Sequence, residues 1–330
     1  MIITRTPFRI SFVGGGSDIP EFYQKMPGAV ISTSINKYMY ISTHDFFDYD
    51  MIRIKYSHTE TVKSVQDLKH PIVREVLKEF DISGAIEISS NADIPAGCGL
   101  GSSSSFTVGL IHNLVTKNGK FFRKDYLAQK ACEIEIERLQ EPIGKQDQYA
   151  ASFGGLNVIR FHENGSVKVE PVHLSRKIQQ EFESNLFMFY TGMQRSASEI
   201  LADQQKALPE KERHSVLNNM VGCVDAFADA LRYGELDAIG PILRKNWDLK
   251  IQLSPKISNS FIQEYYEKGI RSGASGGKLL GAGGGGFLLF YCEKKYQERL
   301  KAAMSPLRSL NFKFDSDGSK VLFVSDDQIL

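Results

Sequence analysis

Apolar and polar positions alternate along the chain in a way that separates strands from helices. Ile2 to Val13 reads as a strand, interrupted by Pro7, that runs into Gly14-Gly15-Gly16. Ala29 to Thr43 and Met51 to Tyr56 are β-rich and are expected to pair. Val73 to Phe80 is helical, and Ala85 to Ser90 is a further strand. From Phe106 an apolar stripe continues through Leu110, Ile111, Leu114 and Val115 at helical spacing, so a helix is expected from Ser103 to about Thr116. Asn118-Gly119 ends it. Arg123 to Leu139 is the next helix, bounded by Pro142. Gly154 to Phe161 and Ser166 to Val172 form a hairpin around Asn164-Gly165. After a strand at Leu186 to Tyr190, helical segments fill roughly Ser196–Lys206, Glu210–Tyr233, Leu236–Trp247 and Ile257–Lys268. Two apolar runs then flank Gly283 to Gly286. The shift to helices marks a second domain, with the division at 1–180 and 181–330.

One stretch, Ile94 to Ser105, stands apart from this patterning. Gly97, Gly99 and Gly101 fall within five positions, and four serines follow. The order is strand, glycine loop, helix. The N–H groups of the first helical turn then point into the loop, and the helix dipole adds partial positive charge. That geometry binds phosphate, and a serine hydroxyl can add a hydrogen bond or a magnesium ligand. A flexible Gly/Ser linker is the bland alternative, but the stretch is short, contains Pro95, and joins two strongly patterned apolar elements. It is neither a Walker A loop nor a dinucleotide fingerprint, because the glycines run Gly-x-Gly-x-Gly.

Composition narrows the class further. The formal net charge is +1 over 330 residues, so nothing advertises nucleic acid or an anionic membrane. Cys98, Cys132, Cys223 and Cys292 are scattered without metal-ligand spacing, which suits a reducing, cytoplasmic setting. The first residues lack the apolar region of a signal peptide, and no apolar run approaches membrane-spanning length. Small-molecule partners are therefore expected, and oligomeric state is not legible.

Pro95 to Ser103, Pro-x-Gly-x-Gly-Leu-Gly-Ser-Ser, resembles the phosphate loop of the GHMP small-molecule kinases. The resemblance extends to a first motif at Arg9 to Asp18 and a second at Gly144-Lys145-Gln146-Asp147-Gln148. A third is Lys278-Leu-Leu-Gly-Ala-Gly-Gly-Gly-Gly286. It implies a two-domain α+β fold, with a left-handed βαβ crossover in the N-terminal domain and a ferredoxin-like C-terminal domain. It implies ATP as phosphoryl donor and Mg2+ as its companion. Carried over residue by residue, it makes Asp147 and Arg9 catalytic. Pro95, Gly97, Cys98, Gly99, Leu100, Gly101, Ser102, Ser103 and Ser104 become the ATP-phosphate site. Gly16, Ser17, Asp18, Arg195 and Gly284 bind the acceptor, and Ser103 and Glu135 (with Glu137 as second choice) ligate the metal. Asp18 also fits a helix N-cap, and Ser196-Ala197-Ser198-Glu199 a capping box, readings that need no ligand.

Arg5-Thr-Pro-Phe-Arg-Ile-Ser-Phe, Ile143 to Tyr149, and Tyr190-Thr-Gly-x-x-Arg195 together look most like the heptose-7-phosphate kinase branch. The acceptor this implies is the anomeric hydroxyl of a sugar phosphate, D-glycero-D-manno-heptose 7-phosphate. Fucokinase and N-acetylhexosamine kinase relatives share much of the pattern and imply a free sugar. A non-catalytic sugar- or ATP-binding regulator on the same fold is the reading from a different class. It is disfavoured by the presence together of the loop, a helical Glu and Asp147.

Overall fold

The computed structural model describes residues 1–119, 122–194, 197–207 and 209–325. Its first sheet is built on β1 (Ile2–Val13) and β2 (Gly28–Asp45), two long antiparallel strands. Pro7 does not interrupt β1; the pairing shifts register between Pro7 and Phe8 and continues. The sheet is completed by β3 (Ile52–Lys55), β4 (Thr59–Val62) and β5 (Ile86–Ala92), then β6 (Leu156–Phe161) and β7 (Val167–Pro171). β3 and β5 run parallel, whereas the other described pairs of this sheet are antiparallel. A parallel pair requires a crossover, and here it passes through β4 and α2 (Pro71–Glu79). A short α1 (Pro20–Tyr23) separates β1 from β2.

The helix after the glycine loop, α3 (Ser102–Lys117), is buried from Ser104 to Val115. It lies close on β1 and β2. A side chain at Gly109 would sit 2.8 Å from the Thr6 hydroxyl, and Thr4 Oγ1 donates to the Gly109 carbonyl at 2.9 Å. Asn113 donates to the carbonyls of Ile2 (3.1 Å) and Ile41 (3.2 Å). Burying an amide is costly unless it is bonded, so these contacts also fix the helix's position along the sheet. α4 (Lys124–Cys132) and α5 (Gln146–Phe153) pack behind it. The expected uniform helix from 123 to 139 instead changes to a π-helical turn at Glu133–Arg138.

α6 (Arg176–Ser184) leads to β8 (Leu186–Tyr190). Four helices follow: α7 (Ala197–Ala207), α8 (Glu210–Tyr233), α9 (Ile239–Lys250) and α10 (Ser260–Arg271). Then come β9 (Gly276–Leu279), β10 (Phe287–Tyr291), α11 (Gln297–Ala303) and β11 (Arg308–Leu310). The second sheet has the order β11-β8-β10-β9, all antiparallel. Numbered within the sheet this is 4-1-3-2, with helices after the first and third strands, which is the ferredoxin-like arrangement. A single cut near residue 180 separates the two sheets except at the end. There β12 (Phe314–Asp315) returns to β2 and β13 (Lys320–Val324) to β1.

One apolar cluster joins the two halves. Phe12 of β1 lies 5.4 Å from Phe182 of α6 and 5.2 Å from Phe227 of α8, centroid to centroid. Phe314 approaches Phe182 at 5.6 Å. Phe12, Phe182 and Phe227 are fully buried. Replacing Phe227 by Ala should therefore remove about 3–5 kcal/mol of stability, as phenylalanine truncations in well-packed cores do. Urea unfolding followed by circular dichroism measures this. A loss below about 1 kcal/mol would mean the cluster does not bind the halves together.

Candidate active site

Between the two sheets lies a cavity of about 810 Å³, and the glycine loop forms part of its wall. Gly97, Gly99 and Gly101 all have positive φ, near +80°. For Gly99 the demand is also steric, since a β-carbon there would lie 2.4 Å from the Leu280 carbonyl oxygen. Gly281 is the reciprocal case, 2.5 Å from the Gly99 α-carbon. The two glycine-rich segments thus meet backbone to backbone, which side chains would prevent. Gly101 caps α3 in the left-handed conformation and presents the N-terminus of a 16-residue helix to the cavity. Ser102, Ser103 and Ser104 line the cavity with it, as do Pro95, Gly97 and Gly99. Cys98 and Leu100 turn into the apolar core instead.

Arg9 organises the adjacent wall. Its Nε and Nη2 each donate to an Asp147 carboxylate oxygen at 2.7 Å, a bidentate pair, and its Nη1 donates to the Gly99 carbonyl at 2.6 Å. Its backbone N–H also donates to the Leu100 carbonyl, at 3.0 Å. A β-carbon on Gly101 would approach Arg9 Cγ at 3.2 Å and Asp147 Oδ2 at 3.3 Å, so the ion pair sits directly under the helix start. Asp147 occupies the first turn of α5, and its side chain remains about one-quarter exposed, facing the cavity.

Asp18 is buried at the same end. Its carboxylate accepts from the backbone N–H groups of Gly16 (3.0 Å) and Gln146 (3.2 Å) and from Gln146 Nε2 (3.2 Å). Burial, and next the charge of Asp147, push its carboxyl above the usual range. Gly16 lines the cavity beside it. Ser17 does not: its Oγ bonds to the Gly14 and Ala29 carbonyls and closes the turn internally. Gly284 is also away from the cavity, with its N–H donating to the Ile257 carbonyl at 2.8 Å. Gly281 and Ala282 of the same segment line the cavity in its place. Arg195 lies outside the described residues.

Glu135, in the π-helical turn, is buried against the start of α3. Oε1 accepts from Ser103 (2.9 Å) and Thr107 (3.0 Å), and Oε2 from Ser104 (2.8 Å) and Gln148 (2.7 Å). Burial raises its carboxyl and the four donors oppose that. Glu137 is exposed on the other side of the turn. Glu135 and the two serines form an all-oxygen set that suits a hard cation such as Mg2+. Each carboxylate oxygen already holds two donors, so a cation here would displace the Ser103 hydrogen.

Two lysines given no role from the sequence complete the cavity, Lys250 and Lys278, the latter the first residue of the third motif. Lys278 is buried and donates to the carbonyls of Ser11 and Phe12, at 2.8 Å each. Lys250 is buried and donates to the Gly281 carbonyl. The signal for Lys250 was its register. Ile239, Leu243, Asn246, Trp247 and Lys250 share the buried face of α9, which makes this lysine a core position by spacing.

Two family models and several known proteins match the chain. Residues 66–155 match the GHMP kinases N terminal domain, and residues 227–306 the GHMP kinases C terminal family. The chain is 28% identical to the D-glycero-alpha-D-manno-heptose 7-phosphate kinase of Campylobacter jejuni, covering 97% of this chain and 98% of that protein. It is 30% identical to the mevalonate kinase of Archaeoglobus fulgidus over 68% of this chain and 74% of that one. The crystal structure of a D-glycero-D-manno-heptose 1-phosphate kinase from Bacteroides thetaiotaomicron superposes with a TM-score of 0.81. The match is 23% identical and covers 99% of this chain and 100% of that one.

The contact between Gly99 and Leu280 yields a direct expectation. Gly99→Ala adds a β-carbon at a positive φ, which typically costs about 1–3 kcal/mol, and forces the third glycine segment away. Affinity for a non-hydrolysable ATP analogue should fall about tenfold or more by titration calorimetry, with the circular dichroism spectrum unchanged. Affinity within twofold of wild type would show that this contact does not hold the loop in its binding shape.

Proposed function

Because the chain belongs to the GHMP kinases, we propose that it transfers the γ-phosphoryl group of ATP to the anomeric hydroxyl of a sugar phosphate. The acceptor is D-glycero-D-manno-heptose 7-phosphate and the product the 1,7-bisphosphate. The observation that carries this reading is the Arg9–Asp147 pair, seated under the N-terminus of α3 and open to the cavity with Asp18 beside it. A kinase needs an acceptor hydroxyl oriented in line with a phosphoryl group whose charge is neutralised. Asp147 supplies the first, and the loop, the helix start and Arg9 supply the second.

The acceptor oxygen forms a bond to the γ-phosphorus as the bond to the β–γ bridging oxygen breaks. ADP departs with that electron pair. The hydroxyl proton passes to the Asp147 carboxylate. Arg9 holds both carboxylate oxygens in place, so the group that receives the proton cannot rotate away from the acceptor. Asp18 binds a ring hydroxyl of the sugar by accepting its hydrogen. Ser103 and Glu135 would hold the Mg2+ that accompanies ATP, and the ion would supply charge neutralisation to the phosphates. The nucleoside end of ATP packs in the apolar arm of the cavity, among Met39, Tyr56, His70 and Phe106. There the rings of His70 and Phe106 stack at 5.0 Å.

The choice of a phosphorylated acceptor rests on the likeness to the Campylobacter protein, which extends over nearly the whole of both chains. A coupled ADP-release assay with heptose 7-phosphate and with unphosphorylated heptose tests it. The phosphorylated sugar should be preferred by at least tenfold in kcat/KM, since a charged hydrogen bond is typically worth about 1.5–3 kcal/mol. Phosphorus NMR should place the new phosphate on the anomeric oxygen. Equal or better use of the free sugar would make this a free-sugar kinase of the fucokinase or N-acetylhexosamine kinase type.

A further inference from the structure

Lys250 is a buried cation that lacks a counter-ion. Its single hydrogen bond goes to the Gly281 carbonyl, and among the described residues no carboxylate lies within ion-pairing distance. The other two cations of this wall hold more protein partners than Lys250 does. Arg9 is bound to Asp147 and Gly99, and Lys278 to the Ser11 and Phe12 carbonyls. An uncompensated buried ammonium is costly, so a position that keeps one in a cavity wall is built for an anion from outside.

Its place in the fold identifies the anion. Lys250 ends α9 and reaches the carbonyl of Gly281, and Gly281 packs on the α-carbon of Gly99. Arg9 reaches the carbonyl of the same Gly99 from β1. The two cations therefore hold the two sides of the Gly99–Gly281 contact, from different domains. A distal phosphate on a heptose would lie at the opposite end of the seven-carbon chain, away from Asp147. We propose that Lys250 is a catalytic residue whose ammonium contacts a non-bridging oxygen of the phosphoryl group as it passes from the β–γ bridging oxygen of ATP to the acceptor oxygen. It neutralises charge there together with Arg9. This rests on the reading of the cavity as the phosphoryl-transfer site.

The charged groups that act on Lys250 are Arg9 on β1, Lys278 on β9, Asp18 before α1 and Asp147 on α5. Burial first, then Arg9, lower its pKa to about 8, and the two aspartates act in the opposite direction. In the free enzyme the ammonium is therefore charged below about pH 8 and loses its proton above that. Bound phosphates favour the charged form and move the titration upward in the complex.

The test compares wild type with Lys250→Met, Lys250→Arg and Asp147→Asn, measuring kcat, KM for ATP and acceptor, and pH profiles. Lys250→Met should lower kcat by about a hundred- to a thousandfold, the usual cost of removing one donor to transition-state charge. Its KM for ATP should change by less than about tenfold. Lys250→Arg should recover most of that loss. The fall in wild-type kcat/KM above about pH 8 should be absent in Lys250→Arg, since guanidinium does not titrate there. The proposal is overturned if Lys250→Met keeps kcat within fivefold, or if its only change is a raised KM for the sugar phosphate. It is also overturned if Lys250→Arg keeps the same alkaline fall, an arm that needs only wild type and the conservative variant to fold. Asp147→Asn separates the two readings. If Asp147→Asn is inactive and Lys250→Met is not, only the role of Lys250 fails; if both are active, the assignment of the cavity fails.

Discussion

The backbone contact between Gly99 and the Leu280–Gly281 segment is the constraint on which the site depends. It brings a loop of the first sheet's half against a turn of the second sheet's half, at a distance only glycine allows. Three charged side chains of the cavity wall are tied to this contact. Arg9 donates to the Gly99 carbonyl, Lys250 to the Gly281 carbonyl, and Asp147 is held by Arg9. Gly101, two residues later, caps α3. The cavity is thus framed by both halves, and neither half holds the full set of cations alone.

Polar burial here has a consistent pattern. Glu135 has both oxygens fully bonded to Ser103, Thr107, Ser104 and Gln148, so its burial is compensated within the protein. Lys278 is compensated by two carbonyls. Asp147 and Lys250 keep capacity toward the cavity, the first partly exposed and the second with no carboxylate in ion-pairing distance among the described residues. Buried polar networks are stiff when satisfied, which keeps the start of α3 in place. That remaining capacity faces the cavity.

Much of this was legible from sequence because the glycine loop is a local demand. Positive φ at alternate positions followed by a helix start is encoded by neighbouring residues, and the strands and helices around it follow simple periodicity. What was missed has a common physical origin. The π-helical turn at Glu133–Arg138 shares its composition with an ordinary helix; it differs only in where Glu135 must point. α6 carries just Ile178 and Phe182 as its apolar pair, too few to stand out among its polar residues. β12 and β13 are short and obtain their partners from β1 and β2, more than 270 residues earlier. Ser17 and Gly284 were carried over from motifs, yet a motif records adjacency in sequence and not which side of a turn faces the cavity. Lys250 was visible only as a lysine in register with Leu243 and Trp247, where an exposed residue would break the helix's buried face.

The central claim is that Arg9 and Asp147 act as one unit in phosphoryl transfer. A double-mutant cycle on kcat/KM, with Arg9→Met, Asp147→Asn and both together, measures this directly. Residues that act as a unit are strongly non-additive, as other catalytic groups are. The expected result is a double variant about as slow as the slower single variant. Losses that multiply, so that the double variant falls by the product of the two single effects, would contradict it.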